Sequence, residues 1–399
     1  MNLSLIGLQW GDEGKGKIID FISNFCNIII RYNGGHNAGH TIYKNKKKNI
    51  IKILPSGLFK KYCLCLLSDN IFLLIENLLK EINFNFKNVF ISKNIFIINL
   101  IDEFIDYLFD KIIKIGTTFS GISIINFRKV IKCCFNIRNT FKFNFINILK
   151  KNIFFYNIIF IFFKLKLKIC IFFLFKKIKK SIFFIKKKII NNYLIINSNK
   201  KKFFESSQGV MLDFNKGTFP FVTNSNIINK SIYIDTNFYL KNIKFIGIIK
   251  SFSTRVGNGF FNTKFIKKKN SFFSYINKEF GSNTLRLRNS GWIDIISLIE
   301  MIKINNISNL IITKMDSLVC LKYVKILINY KINEKKFFDY KNNIYNNNYF
   351  LFNSWKNINN IYFKNEKNFH LYIRFIEKIT NTPIIIISIE KNERDLIFL

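Results

Sequence analysis

The chain has 399 residues, and its 63 Lys or Arg against 24 Asp or Glu give a net charge of +39. Only 17 glycines and 3 prolines exclude collagen-like and Pro/Gly-rich disordered chains, and a hydrophobic content of 49% excludes a chain that cannot bury a core. The length allows one large domain or about two to three ordinary ones.

The N-terminal part of the chain predicts a βαβ unit. Leu3–Leu8 is a short apolar run typical of a buried parallel strand, Lys17–Ile22 has helical spacing, and Asn27–Tyr32 reads as a second strand. Glycine-rich loops at 9–16 and 33–39 follow the two strands. Ligands of such sheets bind beyond the carboxyl ends of the strands, so both loops are expected at one crevice.

The first loop, Gly11-Asp12-Glu13-Gly14-Lys15-Gly16-Lys17, predicts a phosphate site. Its backbone N–H groups and the following helix N-terminus both suit an anion. The segment matches G-x-x-x-x-G-K, but Ile18 follows instead of the Ser or Thr whose hydroxyl binds Mg²⁺. A metal there needs another ligand, and Asp12 is the candidate.

The second loop, 33–40, carries two of the three histidines, His36 and His40. Histidine is the usual general acid near neutral pH, so a histidine beside a phosphate loop is a catalytic candidate. His370 stands apart from any such loop and is interpreted as structural.

The middle of the chain is low-complexity and basic. Residues 111–204 hold 22 Lys or Arg and no acidic residue, and 133–204 is interpreted as a helical subdomain. The codons of Lys, Phe, Ile and Asn can be written mostly in A and T, so we interpret much of this charge as a consequence of base composition. A nucleic-acid or anionic-membrane surface is the alternative. The most apolar run, Ile153–Phe163, is shorter than the ~20 residues that span a bilayer, which favours a buried helix or strands, with membrane-surface contact open.

Later strands are predicted at Phe245–Ile249, Leu310–Thr313 and Ile384–Ser388, and the Asn-rich stretch 341–350 as a loop. Thr313-Lys314-Met315-Asp316 ends the second of these strands. Guanine presents two adjacent N–H donors that one carboxylate can accept, so this segment beside a phosphate loop predicts GTP.

The segment Leu285-Arg286-Leu287-Arg288 places two guanidinium groups on one side of an extended backbone, which suits a dicarboxylate or a phosphate. A strand face with two solvated arginines is the alternative.

Taken together, these segments resemble the adenylosuccinate synthetase family from end to end. The signature is 9–17, followed by 31–41, 54–57, 115–118, 208–213, 217–223, 253–259, 291–294 and 313–316, in the family's order, while 133–204 and much of 325–380 match poorly. The resemblance implies an α/β fold with a mostly parallel central sheet and flanking helices, a P-loop-like GTP site and an additional helical subdomain. It also implies one synthetase domain over 1–399, with 133–204 divergent.

The resemblance implies a cytoplasmic, homodimeric, Mg²⁺-dependent ligase that joins IMP and L-aspartate with GTP, through 6-phosphoryl-IMP. It makes Asp12 the general base and a Mg²⁺ ligand, His40 the acid, and Gly39 a carbonyl ligand of Mg²⁺. The implied GTP contacts are Gly11, Asp12, Glu13, Gly14, Lys15, Gly16, Lys17, Arg288, Lys314, Met315, Asp316 and Ser388. The implied IMP contacts are Asp12, Glu13, Gly14, Lys15, Asn37, Ala38, Gly39, His40, Thr118, Lys132, Gln208, Thr223 and Arg286. The implied aspartate contacts are Ser282, Asn283, Thr284, Leu285, Arg286, Leu287 and Arg288.

Several positions depart from the family pattern. Phe119 and Ser120 replace Gly and Arg, Leu285 replaces Gly, and Ile389-Glu390 follows Ser388 in place of a small residue and Gly. Lys132 stands where the family has an arginine that reaches the neighbouring subunit's IMP site, so the charge is kept and the bidentate fork is lost. These changes bear on affinity and rate rather than on the type of reaction.

Two rival functions remain open from the sequence. A GTP-binding switch or hydrolase explains Lys15, Lys17 and Asp316 but leaves His40 and the arginine pair without a role. A basic protein that binds nucleic acid or membranes rests on the lysines of 111–204 alone. Against it, we expect no nucleic-acid or membrane partner.

The seven cysteines are odd in number and form no C-x-x-C pair, which disfavours a disulfide framework or zinc site and favours a reducing cytosol.

Overall fold

The computed structural model describes residues 2–44, 47–82, 87–236, 242–255, 257–280, 287–331, 346–355, 366–390 and 395–399. Its strands are β1 Asn2–Gly7, β2 Ile28–Gly34, β3 His40–Lys44, β4 Lys47–Ile51, β5 Leu64–Leu73, β6 Val89–Ser92, β7 Phe96–Ile97, β8 Ile189–Ile190, β9 Lys202–Gly209, β10 Ile243–Lys250, β11 Ser253–Arg255, β12 Asn289–Gly291, β13 Ile293–Asp294, β14 Asn309–Thr313, β15 Tyr323–Lys331, β16 Asn346–Asn353, β17 Ile384–Ser388 and β18 Leu396–Phe398. Its α-helices are α1 Lys15–Ile22, α2 Ile75–Glu81, α3 Leu100–Ile113, α4 Ile122–Val130, α5 Phe145–Phe162, α6 Ile171–Ile185, α7 Tyr193–Ile196, α8 Ser231–Thr236, α9 Lys267–Ile276, α10 Ile295–Ile304 and α11 Lys367–Thr380.

A central sheet of eleven strands organises the described residues. Its order is β18-β17-β14-β10-β1-β9-β2-β5-β6-β8, with β7 also on β5, and of these pairs just β17–β18 is antiparallel. Central strands such as β2 are buried along their whole length, which explains the unbroken apolar runs in the sequence. The predicted α/β fold with a mostly parallel sheet is confirmed.

The parallel order brings the ends of the predicted strands together. β1, β2, β9, β10, β14 and β17 lie side by side and point the same way, so their carboxyl ends share one edge of the sheet. The loops after β1 and β2 are the two glycine-rich loops of the sequence. Apolar clusters fill both faces of the sheet, and helices α10 and α11 pack beside β15 and β16.

The helical subdomain predicted at 133–204 is present as α5, α6 and α7, with the short β8 between the last two. A buried polar network holds α5 in place: Arg128 Nη1 lies 2.7 Å from Asp102 Oδ2, and the Tyr156 hydroxyl donates to Asp102 Oδ1 at 3.0 Å. Arg128 also bonds the side chain of Asn152 on α5.

Helix α5 is longer than the apolar run from which it was predicted. Over Phe145–Phe162 it has the length and composition of a membrane span, and 33% of that stretch is buried in the protein. Among the described residues it is the one helix long and apolar enough to cross a membrane. The core helix of a soluble protein can have the same length and composition.

The loop predicted at 341–350 is wrong for its second half. Residues 346–350 begin β16, which pairs antiparallel with β15 through Phe350 opposite Ile326 and Tyr349 opposite Leu327. These cross-strand pairs override the low strand propensity of asparagine. Residues 341–345 lie outside the described residues.

Candidate functional site

A cavity of about 580 Å³ opens at the carboxyl edge of the central sheet. It is lined by most of the residues singled out from the sequence. They lie at the ends of β1, β2, β9, β14 and β17, or in the loops that carry Thr118, Thr223 and Arg288. These are Gly11, Asp12, Glu13, Gly14, Lys15, Gly16, Lys17, Asn37, Ala38, Gly39, His40, Thr118, Gln208, Thr223, Arg288, Lys314 and Ser388.

The first loop turns sharply from β1 into α1. Gly11, Asp12 and Gly14 have φ of 91°, 59° and 85°, a left-handed backbone that favours glycine. Gly16 is required for another reason, because a Cβ there would lie 3.0 Å from the Cβ of His40. The loop therefore brings its N–H groups and the N-terminus of α1 to the cavity wall, close to the second loop.

Glu13 and Lys15 form a buried ion pair inside this loop. Glu13 accepts hydrogen bonds from the backbone N–H of Gly11 at 2.9 Å and Gln9 at 3.2 Å, and its Oε2 lies 2.6 Å from Lys15 Nζ. Burial alone would raise the pKa of Glu13, but the Lys15 ammonium outweighs it and holds that pKa below its ordinary value. Both side chains thus fix the shape of the loop.

Lys17 joins the phosphate loop to the segment after β17. Its Nζ donates to the backbone carbonyls of Ile389 at 2.8 Å, Asp395 at 3.1 Å and Glu390 at 3.3 Å. Burial lowers the pKa of Lys17 to about 8, although the charges of Asp395, Asp316 and Glu390 oppose the shift. The last loop of the chain is therefore held against the first.

His40 is oriented by a buried carboxylate. Its Nδ1 lies 2.6 Å from Glu205 Oε1 and 2.9 Å from Ser56 Oγ, while its Nε2 makes a long contact of 3.5 Å with the Ser207 carbonyl. Glu205 also accepts from the Ser56 N–H at 2.8 Å and hydroxyl at 2.7 Å. Burial would raise the pKa of Glu205, but His40 and Arg31 outweigh it and keep the carboxylate ionised.

Asp12 lines the same cavity as His40 and forms an ion pair with Arg288. Its side chain is 28% exposed, so one carboxylate edge remains open to the cavity. Mg²⁺ prefers oxygen ligands and is commonly held by one or two carboxylates together with phosphate oxygens and water. The Asp12 carboxylate and the Gly39 carbonyl, both on the cavity wall, are donors of that kind, and the residues present fit this ion.

Several buried polar atoms around the cavity lack a protein partner. Among the described residues, neither side-chain amide atom of Gln208 forms a hydrogen bond, and the same holds for Asn37 Oδ1, Arg288 Nη1 and Asp316 Oδ1. Buried polar groups in proteins are nearly always paired. These atoms are therefore suited to a polar ligand, and Gln208 and Asn37 line the cavity directly.

The remaining predicted residues lie elsewhere. Met315 is fully buried in the core, and neither it, Asp316, Leu287 nor the exposed Lys132 lines the cavity. Residues 282–286, with Ser282, Asn283, Thr284, Leu285 and Arg286, lie outside the described residues. His36 is buried and bound to Glu103 at 2.8 Å, and His370 lies on α11.

Sequence reasoning missed three cavity-side residues, Lys250, Glu279 and Glu205. Lys250 and Glu279 line the cavity, and Glu205 lies directly behind His40. The first had a signal, because Lys250 directly follows the predicted strand Phe245–Ile249 in a row of polar strand ends. Glu205 follows two buried phenylalanines on β9, where a lone acidic residue signals a buried charge with a partner.

The chain is similar to known proteins in both sequence and fold. A family model described as adenylosuccinate synthetase matches residues 4–397. An adenylosuccinate synthetase of Buchnera aphidicola subsp. Baizongia pistaciae is 33% identical over 100% of this chain and 99% of its own length. One from Buchnera aphidicola subsp. Schizaphis graminum is 37% identical over 84% and 82%. The fully ligated adenylosuccinate synthetase of Plasmodium falciparum superposes with a TM-score of 0.90 at 28% identity, covering 100% of this chain and 99% of that one.

Proposed function

The chain belongs to the adenylosuccinate synthetase family, and from this membership we propose how its residues carry out the family reaction. The protein is a ligase that forms a C–N bond: it joins IMP and L-aspartate into adenylosuccinate while GTP becomes GDP and phosphate, in the step from IMP toward AMP. The parts of that reaction are divided among side chains and backbone groups of this chain.

Asp12 is the general base that takes the N1 proton of IMP, and His40 is the acid that assists departure of GDP. The observation that carries this assignment is their placement on two loops facing one cavity, with Arg288 on Asp12 and Glu205 on His40. Removing the N1 proton makes O6 a nucleophile for the γ-phosphate of GTP. Phosphoryl transfer depends mainly on positioning and charge stabilisation, which these paired groups provide.

Glu205 holds the His40 ring through Nδ1, and in this proposal Nε2 is the ring nitrogen that gives its proton to the departing phosphate oxygen. Asp12 and Gly39 would hold Mg²⁺, which when bound neutralises phosphate charge. Once O6 carries a phosphate it becomes a good leaving group, and the amino group of aspartate displaces it at C6.

The substrates divide the cavity between them. Asn37, Thr118, Gln208 and Thr223 hold IMP. This assignment is supported by the side-chain amide of Gln208 and by Asn37 Oδ1, which are buried and without a hydrogen bond among the described residues. The guanine of GTP lies toward Lys314, Ser388 and Asp316, whose Oδ1 is buried and without a hydrogen bond among the described residues. Arg288, which forms an ion pair with Asp12, meets aspartate.

We further propose one synthetase domain over 1–399, a homodimer and a cytoplasmic location. Lys132 supports the dimer: it is exposed and does not line its own cavity, so a contact with IMP has to come from the neighbouring subunit. The location follows from the chemistry, because the substrates are soluble nucleotides and an amino acid.

A coupled assay tests the proposal. Adenylosuccinate absorbance and phosphate release are followed while IMP, GTP or aspartate is left out in turn. We expect both signals to require all three substrates, with one phosphate per adenylosuccinate. Phosphate release that continues without IMP and aspartate would instead identify a GTP hydrolase.

Substitutions then test the roles. Asp12→Asn and His40→Asn are each expected to lower kcat by about 10²-fold or more, since each removes a proton-transfer group. Circular dichroism and the thermal midpoint serve as the control for folding. A near-normal rate in either variant would overturn that residue's role.

A further inference from the structure

Glu279 is a buried carboxylate that touches the cavity and belongs to neither of the two glycine-rich loops. It lies just beyond the end of α9 and is 5% exposed. Its backbone N–H donates to the Ser274 carbonyl at 2.8 Å, which fixes the residue to the last turn of that helix. A carboxylate this buried needs cationic partners to stay ionised.

Two lysines from two different strands supply those partners. Lys250, at the end of β10, places its Nζ 2.7 Å from Glu279 Oε2 and donates to Thr254 Oγ1 at 2.9 Å. Lys314, directly after β14, places its Nζ 3.3 Å from Glu279 Oε1. Each carboxylate oxygen therefore faces a different lysine.

The same residue also holds Arg288. The Arg288 backbone N–H donates to the Glu279 carbonyl at 3.0 Å, and Phe280 and Leu287 form an antiparallel bridge beside this bond. The Arg288 guanidinium then reaches Asp12. Glu279 thus contacts both Lys314, through its side chain, and Arg288, which pairs with Asp12 of the phosphate loop, through its backbone.

We propose that Glu279 is a positioning residue that holds Arg288 and Lys314 in place at the cavity wall. The affinity for both aspartate and GTP therefore depends on the charge of Glu279. This inference rests on the proposed function, in which Arg288 meets aspartate and Lys314 meets guanine. IMP is held by Asn37, Thr118, Gln208 and Thr223, on other elements.

The charge is essential because of what it balances. With a neutral residue at 279, the buried Lys250 ammonium would lose its counter-charge, and Lys314 would lose the attraction that keeps it beside α9. Lys314 would then be free to turn away from guanine. The Arg288 guanidinium would lose the attraction of the Glu279 charge, while its backbone bond to Glu279 and its ion pair with Asp12 would remain. Small displacements of such groups weaken binding and rate strongly.

The experiment compares Glu279→Gln with the unaltered protein in steady-state assays in which each substrate is varied in turn. We expect the KM for aspartate and the KM for GTP each to rise about tenfold, and the KM for IMP to stay within about twofold. Thr254→Val is the matched control, because it removes the second partner of Lys250 and leaves the carboxylate in place. It is expected to keep all three KM values within about twofold.

Unchanged KM values for aspartate and GTP in Glu279→Gln would overturn the proposal. An equal rise in all three KM values would also overturn it, because it would indicate general damage rather than positioning. Failure of the proposed function looks different, since the unaltered protein would then make no adenylosuccinate.

A second variant keeps the test open if Glu279→Gln does not fold. Glu279→Asp keeps the charge but shortens the side chain by one methylene group, and the same selective pattern is expected at a smaller size, about threefold. Wild-type KM values in a folded Glu279→Asp protein would count against the proposal.

Discussion

Glu205 is the residue on which the orientation of His40 depends. Its carboxylate is fully buried, 2.6 Å from His40 Nδ1, and is itself held by both hydrogen-bond donors of Ser56. A carboxylate placed there fixes the orientation of the ring and leaves Nε2 as the other ring nitrogen. In the proposed mechanism, His40 acts as the acid through Nε2.

Glu205→Gln tests this at the scale of one atom. The amide keeps the shape but not the charge, so we expect kcat to fall by about 10²-fold. Ser56→Ala, which keeps the charge, should lower kcat by about tenfold, which is half that effect in free energy. A near-normal kcat in Glu205→Gln would assign Glu205 to packing alone.

Asp235 gives a second prediction, for stability. Burial raises its pKa to about 7, although hydrogen bonds from Asn70 and Ser231 and the charge of Lys129 oppose the shift. A carboxyl whose pKa is raised by folding costs stability as the pH rises from its unfolded value, about 4, through 7. The thermal midpoint should therefore fall between pH 5 and pH 8 more steeply than in Asp235→Asn. Parallel curves for the two proteins would contradict this.

At the scale of elements, the strands that build the site could be predicted because each combines an apolar run with a polar end. Leu3–Leu8, Leu310–Thr313 and Ile384–Ser388 differ from β1, β14 and β17 by one or two residues at most. Burial on both faces of a parallel strand leaves a continuous signal in the sequence.

Other elements carry no such signal. β16 is built from asparagines and aromatic residues and is fixed by pairing with β15, a long-range partner that no local pattern specifies. The roles of Glu205 and Glu279 could not be predicted for a related reason, because their partners Ser56, Lys250 and Lys314 are distant in sequence. Catalytic loops are local motifs, whereas the groups that orient them come from the fold.

The network that joins α3, α4 and α5 gives the prediction at this scale. Arg128→Met leaves the Asp102 carboxylate buried without a counter-charge, which should lower the free energy of unfolding by about 3–5 kcal/mol. Lys177→Met removes the ion pair between Lys177 and Glu76. Their side chains are 33% and 31% exposed, so the free energy of unfolding should fall by less than about 1 kcal/mol. Urea denaturation measures both. Equal losses in the two variants would show that the buried network stabilises the fold no more than an exposed ion pair does.

At the scale of the whole molecule, the positive charge is separate from the site. No residue of 133–204, all of which the structure describes, lines the cavity, although this stretch carries much of the excess of lysine. Helices α5 and α6 carry exposed phenylalanines as well as exposed lysines, for example Lys151, Phe154, Phe173 and Lys176. We therefore interpret the charge as composition rather than function, and tight, salt-sensitive DNA binding would contradict that interpretation.

The proposed dimer makes a prediction that no single subunit can satisfy. If Lys132 contacts IMP across a two-fold interface, a heterodimer of Asp12→Asn and Lys132→Gln subunits has one intact site. That site combines Asp12 of the Lys132→Gln subunit with the other subunit's unaltered Lys132. Mixing equal amounts of the two weakly active variants, with subunit exchange, should restore about one quarter of wild-type activity.

The control is the Asp12→Asn, Lys132→Gln double variant mixed with Asp12→Asn. In every dimer of that mixture both subunits lack Asp12, so no activity should return. Because Lys132 is exposed at the end of α4 and does not line its own cavity, a role within one subunit would require a different conformation. If the two single variants do not complement each other although exchange is verified by mass, Lys132 does not act across the interface.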